Sequence, residues 1–255
     1  MKKTVKVRNV VLGEGTPKIC VPIVGRTKEE LIEEVEGLKD ISLDVVEWRV
    51  DYYENVEDIE RVKELLVSLR KLLSNTPILF TFRSKKEGGE KEVSTSYYAK
   101  LNKEIAATRL VDLIDVELFT GDEIVKDIVA YAHDSEVKVV MSNHDFFKTP
   151  VQEEIVSRLR KMQELGADLP KIAVMPQNKS DVLVLLSATN EMVENHAEGP
   201  IITMSMAGTG VISRLAGEVF GSALTFGAAK KASAPGQIGV ADLCTVLNIL
   251  HNSIK

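Results

Sequence analysis

Val45-Val-Glu-Trp-Arg-Val-Asp51 carries two interleaved sets of residues. Read as a strand, with side chains alternating between faces, it puts Val46, Trp48 and Val50 on one side and Glu47, Arg49 and Asp51 on the other. An apolar run like this belongs in a buried sheet, where each charge costs several kcal/mol or more unless it is paired or used. Three further runs have the same character: Ile78 to Ser84 (ILFTFRS), Val139 to Asp145 (VVMSNHD) and Pro170 to Pro176 (PKIAVMP). Parity pairs Thr81 with Arg83, Asp115 with Glu117, and Ser142 with His144. It aligns Lys171 with Ala173 and Met175. A parallel sheet backed by helices would deliver Glu47, Arg49, Arg83, His144 and Lys171 toward one pocket.

Outward from these runs, strand-like and helix-like stretches alternate from about Lys18 to the end, with strands expected to begin near Lys18, Asp44, Pro77, Leu110, Lys138, Pro170, Pro200 and Ser222. Thr27-Lys-Glu-Glu30 and Thr120-Gly-Asp-Glu123 read as capping boxes. Thr149-Pro150-Val-Gln152 places proline at a first helical position, and Gly166 is a stop for the helix that follows. Eight strand–helix units in 255 residues, without a linker, predict an α/β chain folded as a single (β/α)8 TIM barrel over residues 1–255. The rival is a doubly wound open sheet, since counting units does not establish closure. Ahead of the barrel, Val5, Val7 and Val10 alternate with polar residues and predict a small hairpin turning at Arg8–Asn9.

The net charge of −6 argues against a nucleic-acid surface or an anionic membrane as partner, so an anionic ligand must be attracted by local arginines. No run is long enough to span a bilayer. The basic start lacks the apolar stretch of a signal peptide. Cys20 and Cys244 lie far apart without metal-ligand spacing and are expected to be reduced, buried thiols. A cytoplasmic protein is the expectation.

Local readings leave each polar residue with two explanations. Glu47 and Arg49 suit a structural ion pair as well as a ligand contact. Arg83 precedes Ser84-Lys-Lys-Glu-Gly-Gly-Glu90, a plausible exposed loop, and His144 suits a turn cap. Lys171, directly after Pro170 at a strand start, suits solvent. Between Ile201 and Ser222 an apolar strand leads through a glycine turn to Arg214, placed early in a helix where amides and guanidinium together favour a carboxylate. Lys230-Lys-Ala-Ser-Ala-Pro-Gly-Gln237 is either a plain connection or a loop folding over the site, with Ser233 and Gln237 as hydrogen-bond donors.

Taken together and in order, EWRVDYY, FTFRSKKEGGE, MSNHDF, PKIAVMPQ, ITMSMAGTGVISRLAGEVFG and SAPGQI resemble the type I 3-dehydroquinate dehydratases of the shikimate pathway, over essentially the whole chain. The resemblance implies a homodimeric (β/α)8 barrel that converts 3-dehydroquinate to 3-dehydroshikimate with no metal or organic cofactor. It implies that Lys171 forms a Schiff base with the substrate ketone and that His144 transfers protons. Glu47 and Arg49 match positions that bind ring hydroxyls, with Arg83 close by. Arg214, Ser233 and Gln237 match the carboxylate-binding and lid positions. Pro22 stands where some relatives carry a substrate-contacting serine on the first strand, which puts that contact in question.

The chemistry sets further expectations. A protonated imine accepts the electron pair of an adjacent carbanion far better than a ketone does. Lysine attacks as a neutral amine, so the site is expected to favour that form through desolvation and the charge of the arginines. An acidic residue from the preceding strand, Asp115 or Glu117, is expected to orient His144. The alternatives are a class I aldolase or transaldolase-like lyase acting on a sugar phosphate, and a non-catalytic barrel that binds a polyhydroxy acid. Product identity and a lysine adduct separate these readings.

Overall fold

In a computed structural model, which describes residues 3–229, 234 and 236–254, the chain opens with a hairpin. Strands β1 (Val5–Val7) and β2 (Val10–Leu12) pair antiparallel around Arg8–Asn9, with Arg8 at φ +53°. Eight parallel strands follow: β3 (Lys18–Ile23), β4 (Val45–Arg49), β5 (Ile78–Thr81), β6 (Leu113–Glu117), β7 (Lys138–Asp145), β8 (Leu169–Val174), β9 (Ile202–Ser205) and β10 (Leu224–Ala228). Helices α1 (Lys28–Glu36), α2 (Ile59–Leu73), α3 (Thr95–Ala107), α4 (Asp122–Asp134), α5 (Gln152–Glu164) and α6 (Lys179–Asn195) each link successive strands. Two short helices, α7 (Val211–Leu215) and α8 (Gly217–Phe220), lie between β9 and β10. Helix α9 (Val240–Ile254) ends the chain behind a two-residue strand, β11 (Ile238–Gly239).

Neighbouring strands follow chain order, and the ring closes where Ile201 bridges Ser222 and the Ala223 N–H donates to the Ile201 carbonyl at 2.8 Å. Sequential order with closure is a barrel and excludes the doubly wound sheet, whose strand order reverses. Among the described residues, no helix is long and apolar enough to cross a membrane.

The alternation read from Val45 to Asp51 sorts the core into two layers. Val46, Trp48, Val50, Ile78, Phe80, Ile114, Val116, Ile172 and Val174 pack between sheet and helices, with Trp48 edge-on to Phe80 at 5.7 Å. Val45, Leu79, Leu113, Val140, Leu169 and Ala173 fill the barrel interior. The hairpin adds Val5, Val7, Val10 and Leu12 to that inner cluster and plugs the N-terminal end of the barrel. Leu12 is fully buried there. Leu12→Ala is therefore expected to cost about 2–5 kcal/mol of unfolding free energy in a urea titration while leaving kcat unchanged.

Acidic residues at that same end tie adjacent strands together. Asp44, Asp112 and Asp168 precede β4, β6 and β8, and they accept the N–H groups of Ile19, Ile78 and Val139 at 2.7, 2.8 and 2.8 Å. Arg8 of the hairpin turn donates to Asp112 at 2.5 Å, so the plug is bolted through the same device.

Four local expectations need correction. Thr27 caps α1 as expected, but Glu30 reaches back to the N–H of Arg26 rather than of Thr27. Residues Leu118–Thr120 form a 3-10 turn, which leaves Gly121 rather than Thr120 as the N-cap of α4. Val151 stays extended, so α5 starts at Gln152 and Pro150 lies ahead of the helix. Strand β6 begins at Leu113, because Arg109 takes φ +55° in the turn before it. Gly166, at φ +94°, does end α5. Cys20 is buried and Cys244 is only partly so; both are free thiols.

Candidate active site

The C-terminal ends of the strands enclose a cavity of about 500 Å³. Glu47, Arg49, Arg83, Glu87, His144, Lys171, Arg214 and Gln237 provide its polar lining. Phe146, Ala173, Met204, Met206 and Phe226 supply apolar surface. Seven of the eight side chains singled out from sequence thus share one cavity, and Ser233 lies outside the described residues. Pro22 pairs in register with Glu47 but does not line the cavity, so the first strand supplies no contact at that position.

Lys171 is the third residue of β8 and is buried, contrary to its solvent-facing local reading. Its neighbours Ile172 and Val174 are committed to the helix layer, which turns Lys171 and Ala173 inward. The hairpin blocks the other end, so the long side chain extends along the lumen. Its Nζ stands 3.4 Å from Asp115 Oδ2, 3.9 Å from Glu47 Oε1 and 4.6 Å from the centre of the Phe226 ring.

Arg49 and Arg83 are already engaged with acids. Arg49 forms a two-pronged pair with Asp51, both contacts 2.8 Å, over the ring of Tyr52. Arg83 meets Asp115 at 2.8 Å and Glu117 at 2.8 Å, and donates to Ser142 Oγ at 3.0 Å. Burial opposes these guanidinium charges, yet the partner acids hold both more firmly protonated than usual. Burial would raise the Asp115 carboxyl, but the charges of Arg83 and Lys171, with hydrogen bonds from Arg83 and Ser142, hold it below the ordinary carboxylate range. The expected arrangement, arginines crowding the amine, is replaced by carboxylates beside it.

The partner of His144 also differs from expectation. Asp115 and Glu117 are occupied by Arg83, whereas Glu87 Oε2 lies 2.9 Å from His144 Nδ1 and accepts the His144 main-chain N–H at 2.9 Å. Asn143 Nδ2 completes the grip on Glu87 Oε1 at 3.1 Å. Burial holds the imidazole well below its ordinary range, and the Arg83, Lys171 and Arg49 charges add to that. His144 is therefore neutral near pH 7. Burial, and then the Glu117 charge, push Glu87 up to about 8, against the pull of Arg83 and its hydrogen bonds. When Glu87 is ionised it draws the proton to Nδ1 and leaves Nε2 as a free base; when it is protonated it donates to Nδ1 and Nε2 carries hydrogen.

Sequence reasoning missed Glu87 because no strand carries it. It closes a short 3-10 turn after Arg83, in the stretch that reads as an exposed loop. The signal was Gly88-Gly89. Gly88 takes φ +88°, where an added Cβ would lie 2.3 Å from the Phe146 ring, and a Cβ on Gly89 would lie 1.9 Å from the Arg83 carbonyl. Only this glycine pair lets the chain fold back on itself and turn Glu87 inward.

Arg214 is buried in the last turn of the five-residue α7 rather than early in a long helix. Its Nη1 reaches Met204 Sδ at 3.8 Å, and burial lowers its pKa to about 10. The preceding glycine turn is spent on internal bonds: Val211 and Ser213 donate to the carbonyls of Gly208 and Gly210 at 3.3 and 3.0 Å.

A buried amine, a neutral imidazole with an acidic partner and a buried guanidinium in one cavity suit acid–base chemistry on an imine of an anionic ketone. Comparison with known proteins agrees. Residues 19–254 match the family model described as type I 3-dehydroquinase. The chain is 65% identical to a 3-dehydroquinate dehydratase of Clostridioides difficile (strain 630) over 255 residues, covering 100% of both. It superposes with TM-score 0.96 and 65% identity on a crystal structure of type I 3-dehydroquinate dehydratase from Clostridium difficile with covalent modified comenic acid, covering 99% of each chain. A 3-dehydroquinate dehydratase structure from Geobacillus kaustophilus HTA426 is 39% identical, with TM-score 0.96 over 100% of both chains. The chain belongs to the type I 3-dehydroquinase family.

Proposed function

We propose that this chain, acting as a single catalytic domain, dehydrates 3-dehydroquinate to 3-dehydroshikimate through a Schiff base on Lys171. This is the third step of the shikimate pathway. The observation that carries the reading is the juxtaposition of a buried lysine amine with neutral His144 in one closed-bottomed cavity.

Lys171 Nζ attacks the ketone, and loss of the carbonyl oxygen as water leaves a protonated imine. His144 Nε2 then removes the α-proton, and the electron pair flows onto the imine nitrogen as an enamine. The enamine expels the β-hydroxyl, which takes the proton from His144 and leaves as a second water. Hydrolysis of the new imine consumes one water and frees the enone acid. Glu87 holds the imidazole through Nδ1, so the same nitrogen, Nε2, faces the substrate as base and then as acid. Glu47 and Arg49 bind ring hydroxyls, Arg83 organises the surrounding acids, and Arg214 binds the carboxylate with Gln237 and Ser233.

The test is an ultraviolet assay for the conjugated product from 3-dehydroquinate, followed by borohydride reduction and peptide mass mapping. Product formation with one substrate-derived mass on Lys171 is expected. Turnover without a modified lysine would remove the imine from the mechanism. Arg214→Ala is expected to raise KM by on the order of 100-fold with a much smaller change in kcat, because a carboxylate contact is made equally in ground and transition states. Steady-state kinetics separates the two parameters. The reading extends to a homodimer in the cytoplasm; sedimentation equilibrium would test the assembly.

A further inference from the structure

We propose that Asp115 is a catalytic residue of the lysine chemistry: its carboxylate is the counter-ion that keeps the Lys171 imine nitrogen protonated. This rests on the Schiff-base reading above. Condensation of an ammonium with a ketone forms the C=N bond, and two of the three ammonium protons leave with the carbonyl oxygen as water. One N–H and one positive charge remain on nitrogen. The charge to be matched is therefore the same in the resting ion pair and in the iminium. It is absent while nitrogen attacks as the free amine, in the carbinolamine and in the enamine, and it returns when the β-hydroxyl leaves.

The geometry singles out Asp115 for this part. Its Oδ2 is 3.4 Å from Nζ and its side chain is fully buried. Arg83 holds Oδ2 at 2.8 Å, and Ser142 donates to Oδ1 at 2.7 Å, so the carboxylate is fixed and cannot turn away. Glu47 is farther, at 3.9 Å, and its nearer oxygen is taken by Thr81 at 2.9 Å. The other groups that face the amine are Cys20 on β3, a thiol that burial keeps protonated, and the Phe226 ring on β10. Arg49, Arg83, Glu117 and His144 stand in the surrounding shell, with Tyr98 and Glu87 behind them. A fixed negative charge beside an iminium raises the pH at which that nitrogen would lose its proton. A neutral imine would be a poor electron acceptor.

The experiment uses the full chain, 3-dehydroquinate and cyanoborohydride, which reduces the protonated imine selectively. Wild type and Asp115→Asn are compared for rate of adduct formation and for kcat across pH. The variant-to-wild-type ratio at each pH cancels the Glu87 titration common to both. That ratio is expected to fall by about tenfold or more between about pH 6.5 and about pH 8.5, since loss of a neighbouring charge shifts a pKa by one to three units. A uniform loss, with the ratio flat across pH, would reduce Asp115 to a brace for Arg83 and overturn the proposal, as would wild-type behaviour. If Asp115→Asn does not fold by circular dichroism, Ser142→Ala replaces it, with the same sign of pH dependence expected and a flat ratio again decisive against the proposal. Absence of any adduct in wild type would instead overturn the Schiff-base reading itself.

Discussion

Lys171→Met is expected to lower kcat by on the order of 10⁵-fold, because the covalent step loses its nucleophile and no neighbouring group replaces an amine. Methionine keeps the length and apolar stem that pass along Ala173 and Phe226. What it removes is the charge between Asp115 and Glu47. Both acids keep a partner, Arg83 and Ser142 for Asp115 and Thr81 for Glu47, so the barrel is expected to fold. Lys171→Arg provides the complementary control. It retains the positive charge, but a guanidinium stays protonated and does not attack a carbonyl at neutral pH. Both variants should be inactive in the ultraviolet assay and carry no substrate-derived mass after borohydride. Substantial turnover by the arginine variant would mean that charge, not covalency, is what position 171 supplies.

The contrast between Lys171 and Glu87 marks how far the sequence could be read. Alternation over residues 45–49 separates helix-facing from lumen-facing side chains correctly, whereas Val50–Tyr52 form a 3-10 turn that leaves Asp51 outside the cavity lining as the partner of Arg49. The same parity turns Lys171 inward once the strand is known to be buried. The local context of Pro170 pointed to solvent only because a strand start is ordinarily near the surface. Here the N-terminal hairpin covers that end, a tertiary fact that no window around Lys171 contains. Glu87 is harder. It reaches the cavity by a turn, and side-chain direction after a turn follows from φ and ψ rather than from period. Closure had the same character, since Ile201 and Ser222 lie just outside their strands and meet only when eight strands have accumulated their stagger. The charged residues picked out by the family motifs share one cavity. The motifs did not say which acid faces which base, and the pairing assigned to Asp115 or Glu117 went instead to Glu87.

That pairing gives the second large effect. His144→Ala is expected to reduce kcat by about 10⁴-fold, the upper range for a general acid–base group, because one imidazole serves two proton transfers. The variant should still accumulate a borohydride-trappable adduct on Lys171, since its covalent chemistry is intact. Glu87→Gln separates orientation from charge. The amide oxygen can accept the Nδ1 proton as the carboxylate does, so Nε2 remains a base, but the imidazolium loses its negative partner. A drop of about 100-fold is expected, smaller than for His144→Ala. The pH dependence carries the sharper statement. Glu87 is raised by burial to about 8, so in wild type the form with Nε2 unprotonated accumulates as pH rises toward and through that value. An acidic limb in kcat is expected there, belonging to the pair rather than to either group alone. In Glu87→Gln the carboxyl no longer titrates, and His144 is held well below its ordinary range by burial and the Arg83 charge. The limb should disappear from the neutral range. If it persists unchanged in the glutamine variant, proton transfer is governed by a different group and Glu87 only positions the ring.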